Sequence, residues 1–162
     1  MDHQNPTLKL TVTRSEEIKL LLDLVHDEFF ELDDIAYDSE KKILDIPFAR
    51  CFHWQNYRKV REWLLWRVYE VSVLRCLLRV HAVSEYKLLD SEKVGRYDFN
   101  LIRFYDGPSV IEFETCIPLK FTAKVSELRL EYFEIGYSGK ARVSFGWLPI
   151  PWESGPRFVE DR

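Results

Sequence analysis

Apolar and polar residues alternate with a period of two in several separate stretches of this chain, and that pattern limits the fold more than any other feature. A period of two sends successive side chains to opposite faces of a strand, so each stretch makes a ribbon with one apolar side. The clearest case is residues 74–83. Leu74, Cys76, Leu78, Val80 and Ala82 share one face, while Arg75, Arg79 and His81 mostly take the other. Leu8, Leu10 and Val12 form a shorter version near the start, and Ile111, Phe113, Thr115 and Ile117 another. Leu128, Leu130 and Tyr132 form a further strand, and Ala141, Val143, Phe145 and Trp147 the last, with a turn at Gly136–Gly139 between them. In residues 96–105 the phase runs through Tyr97, Phe99 and Leu101, then slips to Ile102 and Phe104. A bulge absorbs a slip of one residue. Asp106-Gly107-Pro108 supplies a turn before the returning strand.

Two segments depart from this pattern. Thr13 lies three residues before Glu16, the spacing of a reciprocal capping box, and Ile18, Leu21, Leu22 and Val25 follow at helical spacing. The expectation is a helix near residues 14–25. Phe29 to Tyr37 alternates with neither face wholly apolar, Asp38-Ser39-Glu40-Lys41 is turn-like, and Leu44, Ile46 and Phe48 return with one apolar face. This reads as a hairpin.

Residues 54–73 fit two patterns. Trp54, Tyr57, Val60, Leu64, Val68 and Val71 make a helical stripe, whereas Trp63, Leu65, Trp66, Tyr69 and Val73 suit a strand. The expectation here is a short helix near 55–63 running into a long strand.

The sum is an α+β fold, predominantly antiparallel β, with one or two helices. Short connections favour antiparallel pairing, and helices are too few for a doubly wound parallel sheet. The sheet is expected to curl, as a sandwich-like pair or a partly open barrel, with the N-terminal helix over one opening. Its 162 residues suit one domain, expected over 1–147, with a Pro-rich extended tail over 148–162.

Composition narrows the function. The formal net charge of −4 argues against a whole-surface nucleic-acid binder. No uncharged apolar run approaches the ~20 residues of a membrane span. The first residues lack a basic and an apolar signal region, and three widely spaced cysteines suit a reducing compartment. The expected location is the cytoplasm.

Reaction chemistry is faint. No phosphate-binding glycine loop, nucleophile elbow or paired zinc-ligand motif is present, so no cofactor is expected. Cys51-Phe52-His53 lacks a second ligand pair, and Cys76 falls on the apolar face of its strand. His26-Asp27-Glu28 sits where the helix meets the hairpin, and the hairpin is rich in carboxylates from Asp27 to Asp45. That arrangement defines one alternative, a small metal-dependent or hydrolytic enzyme using His26. The plainer account is a histidine ending a helix and a solvated acidic face.

The richest constellation is Trp54 to Arg67, where three tryptophans interleave with four basic residues. Trp, Tyr and Arg are the types that anchor protein contacts. Stacking aromatics beside cations also suit RNA or single-stranded nucleic acid. A third account makes the rings core, with arginine stems over them. The reading adopted here is a non-catalytic protein-interaction or self-association module, with a partner protein or a homodimer as its occupant. Its contact residues are Trp54, Arg58, Arg61, Trp63, Trp66 and Arg67.

Overall fold

The computed structural model describes residues 6–51, 58–63, 66–146 and 157–159. The strands are β1 (Thr7–Val12), β2 (Phe29–Glu31), β3 (Ala36–Asp38), β4 (Ile43–Cys51), β5 (Arg58–Trp63), β6 (Trp66–Val80) and β7 (Val83–Leu89). They continue with β8 (Arg96–Asp98), β9 (Leu101–Tyr105), β10 (Val110–Glu114), β11 (Lys120–Val125), β12 (Leu130–Gly146) and β13 (Arg157–Val159). One α-helix among the described residues, α1 (Ile18–Val25), follows a 3-10 turn at Ser15–Glu17. No helix among these residues is long and apolar enough to cross a membrane.

A nine-stranded sheet runs in the order β1-β12-β6-β4-β2-β8, with β13 beside β12, β3 beside β4 and β5 beside β6. A four-stranded sheet runs β7-β11-β10-β9. Among the described residues all the paired strands are antiparallel. The expected α+β, mainly antiparallel and sandwich-like fold is therefore present.

One apolar core joins the two sheets. Phe30 on β2 lies 4.6 Å from Phe99 and 6.2 Å from Phe121 on β11, and Phe121 stacks on Phe113 at 4.6 Å. Ile18, Leu21 and Val25 bring α1 into the same cluster. Burying aromatic rings in offset contact supplies both apolar area and orientation.

The strands pass between sheets at corners. β6 ends at Val80, Ala82 takes a φ of 56°, and Val83 opens β7 in the other sheet. Ala82 thus sits in the turn and not on the core face expected of it. A second corner lies between β8 and β9. The phase slip at Phe99–Ile102 is this change of sheet, where a bulge was expected. A strand that turns a corner exchanges one inward face for another, which resets the phase.

Other boundaries differ from expectation for identifiable reasons. Glu17, and not Glu16, accepts the free N–H groups of Thr13 and Arg14, at 3.0 and 3.2 Å. The first strand of the acidic hairpin is split by a 3-10 turn at Leu32–Asp34, so β2 and β3 pair β4 separately. β10 stops at Glu114, leaving Thr115 and Ile117 beyond the strand. Residues 58–63 are strand, not helix, because the ladder with β6 engages them. Residues 55–57 lie outside the described residues.

The expected turn at Gly136–Gly139 is instead the middle of the 17-residue β12. The register shifts twice there, between Glu134 and Gly136 and between Tyr137 and Gly139, and Gly136 has a φ of 126°. Glycine tolerates that backbone, so the ladder continues through bulges. β7, β11 and β13, the last within residues 148–162, were not foreseen as strands. β7 is exposed along most of its length and shows no alternation. β11 does alternate, with Phe121, Ala123 and Val125 buried, and its signal was readable.

Candidate interaction surface

Of the six predicted contact residues, Trp54 lies outside the described residues. The other five fall on one hairpin. The register sets Trp63 opposite Trp66, Glu62 opposite Arg67, Lys59 opposite Tyr69 and Arg58 opposite Glu70. β6 places Glu70 next to Arg142 and Arg67 next to Phe145 on its other side. The hairpin thus brings Arg58, Arg61, Trp63, Trp66 and Arg67 into one strip two strands wide.

Two features of the strip matter chemically. Glu62 and Glu70 stand opposite arginines in register, which lowers the local positive excess. Among the described residues β5 pairs only with β6. Arg58 and Lys59 are exposed there.

Arg75 and Arg79, expected to extend a basic surface, behave differently. Arg79 donates twice to Asp45, at 2.7 and 2.8 Å, and lies 5.5 Å from the Phe133 ring. Its hydrogen bonds to Asp45 raise its pKa further. Arg75 is exposed.

The acidic hairpin does not gather its carboxylates. Asp45 holds Arg79, Glu31 lies 3.4 Å from Arg96, Glu28 lies 3.9 Å from Arg50, and Asp38 bonds Lys41 and the turn backbone. Each of these four lies beside a cation. The Asp38 bonds to Lys41 hold its carboxyl below the usual range.

His26 caps α1 through its backbone, which donates to Leu22 at 2.8 Å, and its ring lies 3.0 Å from Asp27. Asp27 in turn comes within 4.8 Å of Asp98 on β8 and of Cys116. Among the described residues, Asp27, Asp98 and Cys116 are the group that could hold a cation, since carboxylates and thiolates ligate metals. A hydrogen bond to Asp98, with burial and the nearby carboxylates, pushes the Cys116 thiol up to about 11. At neutral pH it is a protonated thiol and a poor nucleophile. The remaining described candidates stand apart. Cys76 is buried 3.3 Å from the Tyr132 hydroxyl, with its thiol pushed up to about 11 by burial. His81 lies 2.7 Å from Glu131.

A partly buried polar group was not foreseen in the sequence. Arg50 donates to the Tyr132 hydroxyl at 3.4 Å and lies 3.9 Å from both Glu28 and Glu134. Its members are spread over 28–134 in the chain, and only the fold brings them together. Compared with protein-family models, curated proteins and solved structures, the chain gives no significant match.

Proposed function

We propose that this chain is a non-catalytic self-association module whose contact is the edge of β5 away from β6. One observation carries the reading: a strand with an aromatic and basic sequence is paired on one side only among the described residues. An open strand edge is a template for another strand.

The sequence Arg58-Lys59-Val60-Arg61-Glu62-Trp63 suits a second copy of itself. Laid antiparallel about its centre, it sets Lys59 opposite Glu62 and Arg58 opposite Trp63, each twice. Opposite charges directly across an antiparallel pair stabilise it by roughly 0.2–1 kcal/mol each. A cation beside an indole adds a contact of similar size. The two-fold arrangement closes, so it makes a dimer and not a fibre.

Sedimentation equilibrium tests this. A concentration-dependent rise toward twice 19.4 kDa is expected. Glu62→Lys sets lysines against each other and abolishes the rise. Adding Lys59→Glu in the same chain restores opposite pairs and the dimer. A constant mass of 19.4 kDa up to high micromolar concentration overturns the reading.

A further inference from the structure

The face of the large sheet turned away from the core carries apolar residues in register. Leu8, Phe133, Leu77 and Pro47 are successive partners across β1, β12, β6 and β4. Two residues along β6, Arg75 partners Ala49, which partners Phe29 on β2. Their chain neighbours Tyr132, Leu78, Ile46, Phe48 and Phe30 are core residues, so the pleat turns this set outward.

Phe29, Pro47, Ala49, Ile135, Arg75 and Arg96 line a groove of about 340 Å³ on that face, together with Glu31 and Asp34. The guanidinium of Arg96 lies 4.8 Å from the centre of the Phe29 ring, which is 37% exposed. Its Nε is buried without a hydrogen-bond partner, although Glu31 Oε1 is 3.4 Å away. Arg75, on the same groove, makes no ion pair with any described residue. Two guanidinium groups with unused donors thus flank an apolar floor.

We propose that this groove binds a small apolar monocarboxylate. The body of the ligand lies against Phe29, Pro47 and Ile135, and its carboxylate lies between Arg75 and Arg96. The volume is at the lower end of the range for small-molecule sites, roughly 300–1,000 Å³. Guanidinium forks match carboxylate geometry, and an unmet buried donor gains most from an acceptor. Glu31 is half exposed, so solvent weakens its competing hold on Arg96. Glu31 and Asp34 repel a second negative charge, which selects a monoanion over a phosphate dianion. None of these residues belongs to β5, so the site stands or falls independently of self-association.

The test is an amide-resolved NMR titration of the full chain with phenylacetate, with phenylacetamide as the uncharged control. Saturable shifts at Ala49, Arg75 and Arg96 with the acid, and not with the amide, are expected. Arg75→Gln, at an exposed position that leaves the fold intact, weakens binding by about tenfold, the loss of one charged hydrogen bond. Shifts that never saturate, equal response to the amide, or an unchanged affinity in Arg75→Gln would overturn the proposal.

Discussion

From Val73 to Val80, β6 runs between β4 and β12 over the core; from Trp66 to Glu70 it runs between β5 and β12. From Leu74 to Val80 the first stretch alternates, although Val73 before it is also buried. Leu74, Cys76, Leu78 and Val80 are buried, while Arg75 and Arg79 face away. The second, Trp66-Arg67-Val68-Tyr69-Glu70, mixes aromatic, charged and branched residues at consecutive positions. One ladder therefore serves two ends. Where it covers the core, burial dictates which residues are apolar; where it carries the β5 hairpin, backbone pairing sets the structure.

Substitutions separate the two ends, and the largest effect belongs to the core. Leu78→Ala should cost about 2–5 kcal/mol, because Leu78 is fully buried and its cavity cannot collapse between two sheets. Urea denaturation measures this, and a cost under 1 kcal/mol would mean that the core ends short of β6. At the hairpin end, Glu62→Lys should leave the urea midpoint nearly unchanged while removing self-association.

A second pair contrasts two arginines on the same face of the core half. Arg79→Ala breaks a bidentate, partly buried bond to Asp45 and should cost about 1 kcal/mol. Arg75→Ala should stay within about 0.5 kcal/mol, as for surface positions generally. Equal costs would erase the distinction between a structural arginine and one left available for a ligand.

The smallest effect is a pH dependence at the end of the core. Burial alone would raise the Glu131 carboxyl, but hydrogen bonds from Arg129 and His81 outweigh it and hold the group below its ordinary range. A lowered folded pKa stabilises the protein above the unfolded carboxylate pKa, and this contribution is lost as pH falls through the folded value. Thermal melts from pH 7 downward should therefore show wild type losing more stability than Glu131→Gln below about pH 4, the ordinary carboxylate region. Parallel curves would mean that the His81–Glu131 contact is not part of the folded balance.

Much of the architecture was legible because its causes are local or periodic. Residues 74–80 could be placed from alternation, and Ile18, Leu21 and Val25 from helical spacing. β7 was not legible, since most of it is exposed without alternation and it is held by its ladder with β11. The Gly136–Gly139 segment was misread for a related reason. Two glycines near each other look like a turn, and only the long partner β6 shows that the ladder continues. The candidate contact residues were found as a group in sequence, but their common hairpin was not. The groove around Arg75 and Arg96 left no sequence signal, because its lining comes from five strands and a turn spread along the chain.

By itself the amino-acid order determined that this protein builds its core from one side of many ribbons, with a helix near residues 14–25 alongside. That follows from side-chain alternation, a property of each strand alone. Tertiary structure decided which strands are neighbours, where β6 and β8 turn into the second sheet, and which arginines meet a carboxylate. Those outcomes depend on contacts between residues far apart in the chain, which no local period encodes.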